Sequence, residues 1–207
     1  MKPKRKLFSA TVVLTLILAS MCFSAVSAYA AEEVHSGDCG SKATWVLDSD
    51  GVLTINGEGD MRDYSYGSAP WYQWEDSISK VVISDGITTI GSYVFYGLKS
   101  LTEATIGAGV ETIKNYAFQS CKNLTKVDLS GNDSLKVIGD GAFENCASLV
   151  ETREGKLKFP DCLESIGDDA FSGCTSIETV VLPQNTVLEE CVFRYDTGIV
   201  KDRKSVV

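Results

Sequence analysis

The sequence predicts an α/β-type solenoid, mostly β, with one coil of short strands and a short helical turn per repeat. Three observations predict it. A six-residue phrase recurs as Ile90-Gly-Ser-Tyr-Val-Phe95, Ile113-Lys-Asn-Tyr-Ala-Phe118, Ile138-Gly-Asp-Gly-Ala-Phe143 and Ile166-Gly-Asp-Asp-Ala-Phe171, with a worn fifth copy at Leu188-Glu-Glu-Cys-Val-Phe193. Each of the first four leads into a spaced apolar pair: Leu98 and Leu101, Cys121 and Leu124, Cys146 and Leu149, Cys174 and Ile177. The apolar strand ends Ile83, Ile106, Leu129, Phe159 and Leu182 are separated by 23, 23, 30 and 23 residues. A layered apolar pattern at such a period buries itself only by stacking one repeat on the next.

Residues 1–30 read as an export signal. Lys2, Lys4, Arg5 and Lys6 precede an apolar run from Ala10 to Phe23, and Ala28-Tyr29-Ala30 supplies the small-x-small cleavage pattern. The run is too short for a membrane span. Met21, before Cys22, stands where a lipoprotein signal needs a small residue. The mature chain is thus expected to start at Ala31, secreted and without a membrane span. Its net charge moves from −9 to −13 once those four bases leave. Such a balance repels phosphate backbones and excludes nucleic acid as a partner.

Residues 31–77 form the expected N-terminal cap. Trp45-Val-Leu47 and Val52-Leu-Thr-Ile55, joined through Asp48-Ser-Asp50-Gly51, predict a β-hairpin. All three tryptophans, Trp45, Trp71 and Trp74, lie here with Tyr64, Tyr66 and Tyr72. Such rings either plug the open apolar end of a solenoid or make a platform for a sugar.

Residues 78–195 make about five coils. In each, a short strand alternates, so that Val81/Ile83, Ala104/Ile106, Val127/Leu129, Leu157/Phe159 and Val180/Leu182 point inwards. A turn rich in Gly, Asp and Asn follows, then the Ile of the phrase. Two residues later come Ser92, Asn115, Asp140 and Asp168, good N-caps for a helical turn that carries the Phe into the core. Stacked Phe rings should form the spine, with coils about 4.8 Å apart. The one long period contains a longer turn at Gly131–Ser134 and an insertion at Val150–Glu154. Residues 196–207 form a tail.

The full phrase, Ile-Gly-x-x-Ala-Phe-x-x-Cys-x-x-Leu, resembles the BspA-like leucine-rich repeats of bacterial surface proteins, from Ile78 to Phe193. The stretch from Asp38-Cys39-Gly40 to Ala69-Pro70-Trp71 is similar to the capping segment found on such proteins. The resemblance implies a right-handed leucine-rich repeat coil, and a role in adhesion or protein–protein contact at the cell surface.

The outward strand residues should line a concave face: Lys80, Val82, Glu103, Thr105, Lys126, Asp128, Lys156, Lys158, Thr179 and Val181. Lys80, Glu103 and Lys126 alternate in sign, and Asp128 is expected to face Lys158. These charges either satisfy one another or form a polar recognition face edged by Val150–Glu154. Cys121, Cys146 and Cys174 share one repeat position with Leu98 and read as buried thiols. A bridge between Cys162 and Cys191 stays open. No His or CxxC spacing supports a metal, and in the acidic row Asp140, Asp168 and Glu190 capping accounts for the first two. With His35 as the only histidine, nucleophile–base chemistry has no partner. The expectation is a protein that is not an enzyme and carries no cofactor. Its partner is an extracellular or cell-surface protein, or alternatively a glycan held by Trp45, Trp71 and Trp74. Self-association through the C-terminal end is a further expectation.

Overall fold

The computed structural model describes residues 33–152, 156–196 and 200–201, all within a unit running from Ala31 to Val207. The expected signal at 1–30, part of the Val150–Glu154 insertion and most of the expected tail lie outside the described residues.

Strands β1 (Glu33–Asp38), β2 (Ala43–Asp48) and β3 (Val52–Gly57) form an antiparallel meander. The Asp48 side chain closes its second turn by accepting from Asp50 N and Val52 N. Strand β4 (Gly59–Asp60) follows at once. Beyond it the chain winds in coils, each adding a strand to two parallel ladders. One continues β3 through β5 (Lys80–Ile83), with later strands β7 (Glu103–Thr105) and β9 (Lys126–Asp128), giving a sheet ordered β1-β2-β3-β5-β7-β9. The other runs from β4 through β6 (Ile87–Ile90), β8 (Thr112–Ile113), β10 (Val137–Ile138), β12 (Ser165–Ile166) and β14 (Val187–Leu188). A third sheet holds β11 (Leu157–Lys158), β13 (Thr179–Val181) and β15 (Val200–Lys201). The pattern is mostly β, and the register is strict. Lys80, Glu103 and Lys126 pair in one row, and Ile90, Ile113, Ile138 and Ile166 in another.

The core is a stack of rings. Phe95, Phe118, Phe143 and Phe171 are buried, with successive centroids 4.9, 5.2 and 5.1 Å apart. Phe193 continues the stack at 5.6 Å. Trp71 begins it, 5.7 Å from Phe95 and fully buried. Burying each such ring contributes roughly 2–3 kcal/mol.

Two expectations need correction. The segment carrying each Phe is not a helical turn. Among the described residues the sole helical element is a 3-10 turn in the cap, Tyr72–Trp74. Alternate backbone N–H groups of the Phe segments go to the next coil: Phe95 N donates to Ala117 O, Phe118 N to Ala142 O and Phe143 N to Ala170 O, each at 2.8 Å, while those between close local turns, as Glu144 N does to Gly141 O at 3.0 Å. To present alternate N–H groups sideways, the chain enters the left-handed region twice per coil. Two residues before the Phe position, Tyr93, Tyr116, Gly141, Asp169 and Cys191 have φ between 53° and 61°. Two residues after it, Gly97, Ser120, Asn145, Gly173 and Tyr195 have φ between 60° and 76°. Such a backbone cannot close an α-turn.

The expected N-caps also act sideways. Asn115 Oδ1 accepts from Asp140 N at 3.1 Å, Asp140 Oδ1 from Asp168 N at 3.1 Å, and Asp168 Oδ1 from Glu190 N at 2.7 Å. Each side chain caps its neighbour, not its own turn. This explains the glycine of the phrase in two coils. A Cβ on Gly139 or Gly167 would stand 2.3 Å from the Asn115 or Asp140 Oδ1 atom.

The insertion interrupts the first sheet. Val127 N donates to Glu151 O and Leu129 N to Thr152 O, so Glu151 and Thr152 occupy the place beside β9 where the next coil's strand was expected. The buried Thr152 hydroxyl then accepts from Lys158 N at 2.8 Å and donates to Lys158 O, tying the insertion to β11.

Candidate recognition surface

Strands β5, β7 and β9 hold their inward residues, Val81, Ala104 and Val127, fully buried. Alternation therefore turns the flanking positions outwards. The first outward row is an ion chain. Lys80 Nζ lies 3.2 Å from Glu103, and Lys126 Nζ lies 4.0 Å from Glu103 and 3.1 Å from Asp128. The second row places Val82, Thr105 and Asp128 side by side, all half-buried. Its acid is held in place from two sides. Burial pushes the Asp128 carboxyl up, but Ser130 N–H and the Lys126 ammonium outweigh it and keep the pKa below the ordinary range. The hydrogen bond to Asp128 raises Lys126 in turn. The face is therefore charged, ordered and internally paired.

The structure changes the partner of Asp128. Lys158 was expected opposite it, but β11 lies in the separate sheet beside β13, with Lys158 registered against Val181. Asp128 pairs with Lys126 of its own strand instead, and the Lys126 backbone bridges Glu151 across the break. Lys80, Val82, Glu103, Thr105, Lys126 and Asp128 thus share one sheet, while Lys158, Thr179 and Val181 sit on another. Lys156, just before β11, is exposed.

The tryptophans are placed differently. Trp71 is fully buried, its Nε1 donating to Val94 O at 3.0 Å, and Trp45 is buried edge-on against it at 5.6 Å. Neither ring can lie under a sugar. Trp74 is half-buried and stacked on His35 at 3.8 Å. The aromatics that do reach the surface are tyrosines: Tyr66, Tyr93, Tyr96 and Tyr116 run along the first coils with neighbouring centroids 4.4–6.1 Å apart. The sequence reading missed this strip. Its signal was the pair of tyrosines inside the first two copies of the phrase, absent from the later ones.

The remaining candidates are structural. Cys121, Cys146 and Cys174 are buried thiols, each donating to the Phe carbonyl of the preceding coil at 3.0–3.1 Å. Burial pushes Cys121 up to about 12 and Cys146 well above its ordinary range, so both stay protonated. Cys162 and Cys191 are separate thiols here, the first donating to Asp133 O and the second accepting from Arg194. A residue the sequence reading passed over proves central. Asn132 is fully buried, its amide donating to Gly107 O and Val110 O while its oxygen accepts from Ser134 N and Leu135 N. Among the described residues no cluster of three His, Cys, Asp or Glu could hold a metal. No described helix is long and apolar enough to cross a membrane.

Comparison with known proteins adds the family. The model of a BspA type leucine rich repeat region matches residues 68–200 in six copies. That range starts ahead of Trp71, the ring that begins the stack. The chain is similar to a leucine-rich repeat protein from Eubacterium ventriosum, with 27% identity and a TM-score of 0.69 over 82% of this chain and 44% of that one. A leucine-rich repeat protein of T. pallidum matches at 23% identity and TM-score 0.50, covering 71% of this chain and 72% of that one. One from Bacteroides ovatus matches at 22% and 0.53, covering 78% and 39%. The last two show the fold alone. The chain spans less than half the length of the Eubacterium protein. No curated protein matches the sequence.

Proposed function

The chain belongs to the BspA-type leucine-rich repeat family, and from that premise we propose a secreted or surface-associated, non-catalytic protein whose outward strand face binds another extracellular or cell-surface protein. The observation that carries the reading is the contrast between the two sides of β5, β7 and β9. Their inward positions are uniformly apolar, whereas the outward ones change with every coil: Lys80, Glu103, Lys126 and Val82, Thr105, Asp128. Stacking does not require that variety, and a recognition face does. The coil winds right-handed in this reading, as parallel crossover connections do. The signal-like segment at 1–30 supports export. With a single histidine, His35, packed on Trp74, the reading includes no reaction.

The test is retention on an array of extracellular-matrix and cell-surface proteins. Glu103→Lys reverses the middle charge of the row and should abolish or strongly weaken capture. Exposed ion pairs are worth about 0–1 kcal/mol, so its unfolding midpoint should barely move. Capture that survives Glu103→Lys places binding elsewhere, and no retention on any protein removes the reading.

A further inference from the structure

A cleft of about 510 Å³ opens beside the first coils among Tyr66, Tyr72, Glu75, Tyr96, Lys99 and Asn123. We propose that it binds a saccharide: a pyranose lies with its C–H face on Tyr66 and Tyr96 and donates a hydroxyl hydrogen to the Glu75 carboxylate. This site is distinct from the strand face, and it does not use the tryptophans.

The repeat itself shows that the fold does not demand these residues. Tyr72 and Tyr96 each follow a stacked ring, Trp71 and Phe95. In later coils the same position holds Gln119, Glu144 and Ser172, with the ring stack unchanged. Glu75, Lys99 and Lys122 occupy another shared position, where the next two coils have Ala147 and Thr175. The tyrosines and charges are therefore concentrated at one end for a reason other than stacking.

The platform is built in advance. Tyr66 is 66% exposed, and its centroid stands 4.4 Å from that of Tyr96 at an angle of 53°. Two rings at this angle make a shallow notch and not a closed stack. Tyr66 sits in a turn pinned by the Ser68 hydroxyl, which accepts from Ser65 N and donates to Ser65 O, both at 2.9 Å. The next residue, Gly67, has φ +65°, and a Cβ there would press on the Tyr72 ring at 3.1 Å. A rigid exposed aromatic loses little freedom when a ligand covers it.

The polar end is a held carboxylate. Glu75 Oε1 receives Lys99 Nζ at 2.6 Å, and the Tyr72 hydroxyl beside it stays protonated, pushed up to about 12 by burial and then by its hydrogen bond to Glu75. The Glu75 side chain keeps 17% of its surface exposed, so a sugar hydroxyl can add a charge-assisted hydrogen bond from the cleft. Lys99 and Lys122 balance Glu75 and Asp76, both paired with Lys99, so a basic peptide side chain meets no net negative charge there. The volume falls within the roughly 300–1,000 Å³ of ordinary ligand clefts.

Saturation-transfer NMR of the protein with cellotriose and with chitotriose at millimolar concentration tests the assignment, with triarginine as the competing class. Transfer to the ring protons of either sugar is expected. Tyr66→Ala and Glu75→Gln should each weaken it about tenfold, whereas Glu103→Lys on the strand face should leave it unchanged. Tyr66 is exposed, so Tyr66→Ala keeps the fold even if Glu75→Gln does not. Silence with both sugars, or transfer that survives Tyr66→Ala, overturns the proposal. Transfer to triarginine that depends on Tyr66 overturns it too, and gives the cleft to basic peptides.

Discussion

The two ends of the ring stack are built differently. At the first, Trp71 is fully buried, hydrogen-bonded to Val94 O, and covered by Trp45 and Tyr64. At the last described coil Phe193 is only half-buried, and Val187 and Leu188 on β14 are 55% and 43% exposed. The thiol column changes as well. Leu98, Cys121, Cys146 and Cys174 are followed by Asp196, three residues after Phe193. In a solenoid each layer is held by its neighbours alone. The first coil is backed by β2, β3 and a tryptophan, while the last brings a carboxyl into an apolar column. Stability should therefore decline along the stack.

Ring truncation tests that gradient most strongly. Phe143→Ala and Trp71→Ala should each cost about 3–5 kcal/mol, and Phe193→Ala only about 1–2, read as shifts in the urea midpoint. Equal costs at Phe143 and Phe193 would abolish the contrast. Next comes Asn132→Leu, which strands two carbonyls and two N–H groups in the middle of the stack. It should cost about 2–3 kcal/mol, more than any change to the exposed ion row.

Asp196 gives a smaller effect with a sign. Burial raises its carboxyl from 3.8 to about 6, the Cys174 backbone pulling the other way. The folded state thus holds the proton more tightly than the unfolded chain. The resulting stability is complete below pH 3.8 and is lost as pH rises through about 6. Thermal melts across this window should show a decline on the order of 1 kcal/mol that Asp196→Asn removes. An identical decline in the variant would show that Asp196 does not titrate with folding.

Thiol labelling supplies the smallest perturbation. A maleimide at neutral pH should modify exposed Cys191 first and reach Cys121, Cys146 and Cys174 only on unfolding. Burial raises Cys121 from 9.0 to about 12. Its contribution is complete below pH 9.0 and disappears as pH rises through about 12. Cys121→Ala should make the alkaline loss of stability shallower, and an unchanged slope would count against a buried neutral thiol there.

The contrast between the ends also separates what was legible in sequence from what was not. The family, the repeat and the parallel mostly-β architecture could be read, because a buried apolar position constrains residue type in every coil. Phe95, Phe118, Phe143 and Phe171 are visible for that reason. The helical turn was misread because Ser92, Asn115, Asp140 and Asp168 are ordinary N-cap residues, and composition does not say which backbone they cap. The choice between plug and sugar platform stayed open for the cap rings because Trp71 and Tyr66 look alike as aromatic residues of one cap, yet one begins the buried stack and the other stands in water.

What the sequence by itself determined is the period and the inward face of each coil, since burial selects the same kinds of side chain at every turn. Tertiary structure alone decided where hydrogen bonds and surfaces go. The Phe segments bond across coils, the Glu151–Thr152 insertion displaces β11 from β9, and Tyr66 and Tyr96 meet over Glu75. Each of these depends on groups more than twenty residues apart being brought together by stacking, and no local pattern in the chain records that distance.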